Sequence, residues 1–220
     1  MTDLLIIKLL HLLFFVYWLG GDLGTFYASR FLVRHGLTTQ QRSIAFTIMM
    51  GVDQGPRLCM PLILASGIHL AVGMGMLQAP AALVPVVWLI ASGWFAMVLL
   101  LHFGHGRSYV PSLTRFDFIF RILVILCCVG AATAGSAAAL MTDRMAVKLV
   151  VFAALVACGL GIRLSLKPFG LLWAQMLSQG ISEQGDSQLR AALAKARRYV
   201  YLIWAGLLVN AAIGIHLISL

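Results

Sequence analysis

The run Ala81-Ala-Leu-Val-Pro-Val-Val-Trp88-Leu-Ile-Ala-Ser-Gly-Trp94-Phe-Ala-Met-Val-Leu-Leu-Leu-His102-Phe103 contains a single ionisable side chain, His102. An α-helix needs ~20 predominantly apolar residues to cross about 30 Å of hydrocarbon, and this run supplies them. Five further runs reach that length: Leu4 to Tyr27, Ser43 to Met76, Phe118 to Leu140, Met145 to Leu166 and Tyr199 to Ser219. Backbone groups in lipid must bond within the protein, and no alternation of period two supports a barrel. The expectation is an all-α, integral membrane helical bundle of about six transmembrane helices. Composition agrees: 61% of the residues are hydrophobic and 10% charged, and the mean hydropathy of +0.97 leaves too little polar surface for a soluble globule.

The first run continues past signal-peptide length into Arg30, Phe31 and Arg34, so it reads as a retained helix. Asp53, Pro56, Arg57 and Pro61 interrupt the second run, where proline predicts a kink or break. The pattern reads as one transmembrane helical-bundle domain over residues 1–220, with a cytoplasmic connection at about 167–198. In that connection Asp186 is a candidate cap for a helix through Leu189 and Leu193, and Phe169 to Met176 is a candidate interfacial segment.

The formal net charge of +9 is unevenly spread. Of the 16 basic residues, twelve fall in the odd-numbered loops, including Arg30, Arg34, Arg42, Arg107, Arg115, Arg121, Arg163, Lys167 and Arg190. By the positive-inside rule those loops are cytoplasmic and both termini face outside. A nucleic-acid stripe would lie along one soluble face, so nucleic acid is excluded as a partner and the lipid bilayer expected. Cys59, Cys127, Cys128 and Cys158 lie in apolar runs and read as small packing residues.

Five of the six histidines, His11, His69, His102, His105 and His216, sit inside or at the ends of apolar runs. An ionisable group at membrane depth costs roughly 2.5–3.5 kcal/mol on insertion scales and generally faces the bundle interior. At about 1.5 Å per residue, His11, His69 and His216 share an outer layer, and His35, His102 and His105 an inner one. Two imidazoles on facing helices at one depth can clamp a haem iron, with His11 and His69 the candidate metal ligands and His216 a replacement. A satisfied interior histidine is the competing reading for each. The glycines beside them, Gly20, Gly21, Gly24, Gly67, Gly73 and Gly75, suit a flat cofactor or close helix packing.

The segment Lys8-Leu-Leu-His11-Leu-Leu-Phe-Phe-Val-Tyr-Trp18-Leu-Gly-Gly21, followed by Tyr27, Arg30, Arg34 and His35, resembles the first helix of the HemJ-type bacterial protoporphyrinogen oxidases. It is also similar to the wider group of membrane b-type cytochromes and CopD-like copper-resistance proteins. Leu101-His102-Phe103-Gly104-His105 and Phe120-Arg121-Ile122-Leu123 look similar too, and the last two spans are more like the extended CopD-type architecture. The resemblance implies an oxidoreductase or oxidoreductase subunit of the bacterial inner membrane, with His11 linked to haem. The cofactor would be one or two haem b groups, non-covalent because no Cys-x-x-Cys-His sequence occurs. It further implies a redox partner protein or quinone, and a homo- or hetero-oligomer.

Arg57 is a candidate partner for a haem propionate, oriented by Asp53, or else half of a structural ion pair. Lys8, one turn from His11, is a second propionate candidate or a snorkelling lysine. Copper is the alternative cofactor, because His69, Met74 and Met76 offer soft ligands for Cu(I). The function classes are therefore an electron-carrying b-type cytochrome-like protein, a HemJ-like protoporphyrinogen oxidase, a CopD-like copper protein, and a cofactor-free structural subunit.

Overall fold

The structure, a computed structural model, describes residues 2–104 and 106–218. Eight α-helices follow one another among them: α1 Thr2–Ser29, α2 Thr39–Val52, α3 Gln54–Gly73, α4 Leu83–Phe103, α5 Val110–Ala137, α6 Asp143–Ser165, α7 Phe169–Gln179 and α8 Glu183–Gly214. Five helical stretches are long and apolar enough to cross a membrane: Thr2–Val33, Thr39–Gly73, Leu83–Phe103, Val110–Ala137 and Asp143–Gln179. These match the first five expected spans. The sixth, expected from Tyr199, is the second half of α8. Because α8 ends at Gly214, a helical window of spanning length must reach back to Arg197 and Arg198 and also contains Asn210, so this segment stands apart from the other five.

Local chemistry sets the helix starts. Thr38 and Gln41 form a reciprocal capping box at α2, each side chain bonding the other's backbone N–H. Thr142 caps α6 and Ser182 caps α8, through Met145 N at 3.4 Å and Gly185 N at 3.1 Å. The expected break in the second run falls at Asp53, between α2 and α3. Pro56 lies in the first turn of α3, where its missing N–H costs no helical bond, whereas Pro61 sits inside the helix.

The helices pack as an antiparallel bundle. Leu4 lies against Gly73, joining the start of α1 to the end of α3. At the same end Gln78 N donates to Leu140 O (2.8 Å) and Thr142 N to Met76 O (3.0 Å), tying the α3–α4 and α5–α6 connections together. Arg144 Nη1 reaches His216 Nδ1 (3.2 Å), so the start of α1 and the end of α8 both belong to this end. At the opposite end Arg197 Nη2 donates to Ser29 Oγ (3.3 Å), and Phe46 of α2 stacks against Phe169 and Trp173 of α7.

The main core surrounds Trp18, Trp94, Phe152, Leu155 and Val156, all almost fully buried. Lipid tails are as apolar as leucine, so helix association in a bilayer relies on close packing rather than on removal of apolar surface from water. A Cβ at Gly206 would come 2.6 Å from Leu155 Cδ2, so glycine there lets α6 and α8 approach. Outward, Leu5, Leu9, Leu89, Leu126 and Leu208 are exposed, as a hydrocarbon-facing surface requires.

Arg42, Arg121 and Arg163, expected as loop charges, are instead integrated into the bundle. Arg42 is buried and pairs with Asp186 at 2.5 Å, and Asp186 also accepts from Arg190 Nη2 at 2.8 Å. Asp186, expected as a cap, lies in the first turn of α8 behind Ser182 and docks that helix onto α2. Burial alone would raise its pKa, but the hydrogen bonds from Arg42 and Arg190 outweigh this and hold the carboxyl below the usual carboxylate range. A depressed carboxylate pKa gives stability that is present above the unfolded value and lost as pH falls through the folded one. Protection of residues 183–193 from hydrogen exchange is therefore expected to stay constant above the ordinary carboxylate range, to begin falling as pH enters that range, where undocked Asp186 takes up a proton, and to go on falling until the docked carboxyl is protonated in stronger acid. Arg42→Ala, which raises the docked pKa, should lower protection at neutral pH and make the further loss in acid smaller; an unchanged acid profile in this variant would contradict the docking role.

Candidate functional site

His11 lies on α1 facing α3, where its Nδ1 is 2.8 Å from Ser66 Oγ. Ser66 is fully buried, and its one hydroxyl hydrogen is directed at the Leu62 carbonyl at 2.7 Å, with the Ile63 carbonyl at 3.2 Å. The hydroxyl thus spends its hydrogen on the helix backbone and accepts from the ring. This bonding assigns the proton of a neutral His11 ring to Nδ1 and a lone pair to Nε2. This is the arrangement of a ligating histidine, in which the other ring nitrogen donates to a fixed acceptor. Gly67 makes room for it: a Cβ there would lie 3.2 Å from His11 Cε1.

His69 has the opposite tautomer. Trp88 Nε1, which can only donate, reaches His69 Nδ1 at 3.3 Å, so the proton of a neutral ring is on Nε2. Successive helical residues are rotated by about 100°. The Ser66–Gly67 face that receives His11 belongs to the α1–α3 seam, and His69 turns towards α4. The two imidazoles share the expected end of the bundle while each has its own partner. His216 accepts from Arg144 just beyond α8. Lys8 is exposed, whereas Lys148 of α6 is half-buried and within electrostatic reach of the His11 ring. Met74, on the proposed copper side, is exposed at the end of α3. Among the described residues no group of three or more His, Cys, Asp and Glu side chains converges to hold a metal ion.

At the opposite end, His102 packs edge-on to Phe103 and lines a cleft with Met50, Gln54, Arg57, Val98, Leu101, Arg121 and Arg163. Its volume of about 60 Å³ is room for about two waters and far less than a porphyrin needs. His105 lies outside the described residues, and His35 is exposed beyond α1. Arg57 pairs with Asp53 one turn away along the helix. Asp22 lies within electrostatic reach of both.

The strongest polar cluster in the bundle is one that the sequence pattern left aside. Asp117 is fully buried on α5 and accepts from Arg121 Nε at 3.1 Å to each oxygen, and Arg163 Nη2 of α6 lies 2.6 Å from its Oδ2. Arg121 also lies 5.3 Å over the Trp94 ring, and its Nη1 is 3.3 Å from Met60 Sδ. One carboxylate therefore ties α5 to α6 and, through Arg121, to α3 and α4. The spacing of Asp117 and Arg121, four residues apart on a helix, was the available signal. Arg163, expected in the fifth loop, is inside α6. Comparison of the chain with protein families, curated proteins and solved structures finds no significant match.

Proposed function

We propose that this integral membrane bundle is a b-type cytochrome-like haem protein with His11 as an axial ligand, working in a redox system of the bacterial inner membrane. The observation that carries the reading is the Leu62–Ser66–His11 relay, which leaves Nε2 unprotonated in the outer half of the first span. When bound, haem would supply one-electron chemistry, tuned by its axial ligands and surroundings. Ser66 fixes the tautomer and the ring plane, Gly67 admits the ring edge, and the apolar core excludes water. Lys148 is better placed than the exposed Lys8 to offset a buried carboxylate near His11. His69 is the second candidate ligand, and ligation through its Nε2 would move its proton to Nδ1 and release the Trp88 bond.

A reduced-minus-oxidised spectrum of the purified chain tests the proposal. A b-type signal at about one haem per chain supports it, and a protein purified without haem that fails to take up added haemin overturns it. Copper in place of iron would favour the CopD-like reading. The HemJ-like reading differs in substrate and uses the same ligand.

The orientation belongs to the same proposal. The basic residues Arg30, Arg34, Arg107, Arg115 and Arg190 gather at the end opposite the start of α1 and the end of α8, and the positive-inside rule supports a cytoplasmic location for that end, with the termini outside. Reporter fusions at Gln78 should signal periplasmic and at Arg107 cytoplasmic locations; the reverse pattern would invert the orientation.

A further inference from the structure

Arg30 and Arg197 meet over one aromatic ring. The guanidinium carbon of Arg30, just past the end of α1, lies 5.1 Å from the centre of the Phe26 ring, and that of Arg197 on α8 lies 5.5 Å from it. Arg197 is held there, because its Nη2 donates to Ser29 Oγ, which spends its own hydrogen on the Phe26 carbonyl at 2.7 Å. Phe26 in turn packs edge-on against Tyr201 and Trp204 of α8. The two cations are within electrostatic reach of each other, and a ring face attracts a cation without neutralising it.

All seven carboxylate side chains of the chain are committed elsewhere. Asp117 serves Arg121 and Arg163, and Asp186 serves Arg42 and Arg190. Asp53 pairs with Arg57, and Asp22 is within electrostatic reach of that same pair. Asp3 and Asp143 belong to the first turns of α1 and α6, at the opposite end of the bundle. Glu183 starts α8, about 21 Å along the helix from Arg197. Arg30 and Arg197 therefore keep their full charge while no side-chain anion faces them.

Depth in the bilayer identifies what does face them. The first span ends beside Arg30, and α8 turns from charged to apolar just after Arg198, so both guanidiniums stand where the chain leaves hydrocarbon for the headgroups. Tyr201 and Trp204 are the aromatic residues favoured at that depth. Towards the hydrocarbon, Tyr201 and Leu208 are exposed and, seven residues apart, share one face of α8, with exposed Leu23 of α1 three residues before Phe26. We propose that the α1–α8 seam binds one anionic phospholipid of the leaflet at that end, its phosphodiester between Arg30 and Arg197 and an acyl chain along Tyr201 and Leu208. Guanidinium donors match phosphate oxygens in charge and geometry, and their partial exposure is what a ligand arriving from the bilayer requires. An amine in the headgroup would bring a third cation to the pair, so the fitting lipid is of the phosphatidylglycerol kind.

The test titrates the purified full-length chain in detergent with dioleoyl phosphatidylglycerol, dioleoyl phosphatidylcholine or inorganic phosphate. Native mass spectrometry counts the bound lipid and thermal unfolding follows its effect. Saturable retention of one phosphatidylglycerol per chain, with a raised melting temperature and no such response to phosphatidylcholine or phosphate, is expected. Arg30→Gln, at an exposed position, should weaken phosphatidylglycerol binding by about fivefold, the contribution of one basic residue at a charged membrane surface. Arg115→Gln removes another exposed arginine at the same end, on α5 and away from the α1–α8 seam, and should leave the affinity as it is. Equal responses to the two lipids, or a response to inorganic phosphate that matches phosphatidylglycerol, would overturn the lipid site. So would unchanged affinity in a folded Arg30→Gln protein, which leaves water to solvate the pair, and so would an equal loss in Arg115→Gln, which reduces the effect to diffuse surface charge.

Discussion

Asp117→Ala is expected to be the most destabilising single substitution in the chain. The carboxylate is fully buried and accepts from two guanidiniums, so its removal leaves both without their anion. Breaking a buried ion pair from one side typically costs about 3–5 kcal/mol, because the surviving charge stays desolvated. The Trp94 face remains for Arg121, but cation–π contact is worth ~0.5–2 kcal/mol and does not replace a bidentate carboxylate. Asp53→Ala is the contrast. It also removes the acidic half of an i,i+4 pair, yet Arg57 is 44% exposed and can turn to water, so a loss within about 1 kcal/mol is expected. Thermal unfolding of the two variants in the same detergent checks the difference. Equal melting temperatures for Asp117→Ala and wild type would show that Asp117 does not hold α5 to α6.

The fold class was legible because hydrocarbon imposes one requirement on every spanning residue. Runs such as Ala81 to Phe103 therefore announce themselves without reference to any other segment. The break at Asp53 was legible for a local reason too, since Pro56 falls in the first turn of α3 and Pro61 follows within the helix. The continuity of α8 from Glu183 was less so, because the sequence changes from charged to apolar midway and only helical geometry links the halves. Helix depth could be counted at 1.5 Å per residue, and His11 and His69 do fall at the same end. Rotation about the helix could not be counted, because it depends on which neighbour each face meets. That is why the opposite tautomers of the two histidines emerged only once Ser66 and Trp88 were placed. Arg42 and Arg163 read as loop charges because their anions, Asp186 and Asp117, are far away in sequence, and Arg121 read as one although Asp117 lies one turn before it. A positive charge near the end of an apolar run looks the same whether it faces water or a buried carboxylate.

His11→Ala is expected to abolish the haem signal of the purified protein, and the argument turns on a graded comparison with Ser66→Ala. If His11 Nε2 ligates iron, alanine removes the bond itself. Ser66→Ala leaves the imidazole in place and removes only the acceptor that fixes its tautomer and plane. Loss of such a supporting hydrogen bond typically weakens metal affinity by 10–100-fold, so Ser66→Ala should retain haem at saturating haemin and lose it on dilution, about 10–100-fold sooner than wild type. Ser66 is buried inside α3 and its side chain bonds its own helix backbone, so alanine there should leave the helix intact. His35→Ala, at an exposed site beyond α1, should match wild type throughout. A purely structural histidine would behave differently: both α1–α3 seam variants would lower the melting temperature together, and neither would alter an absorption spectrum. Full haem occupancy with an unchanged spectrum in a folded His11→Ala protein would remove His11 from the site and with it the main support for the haem reading.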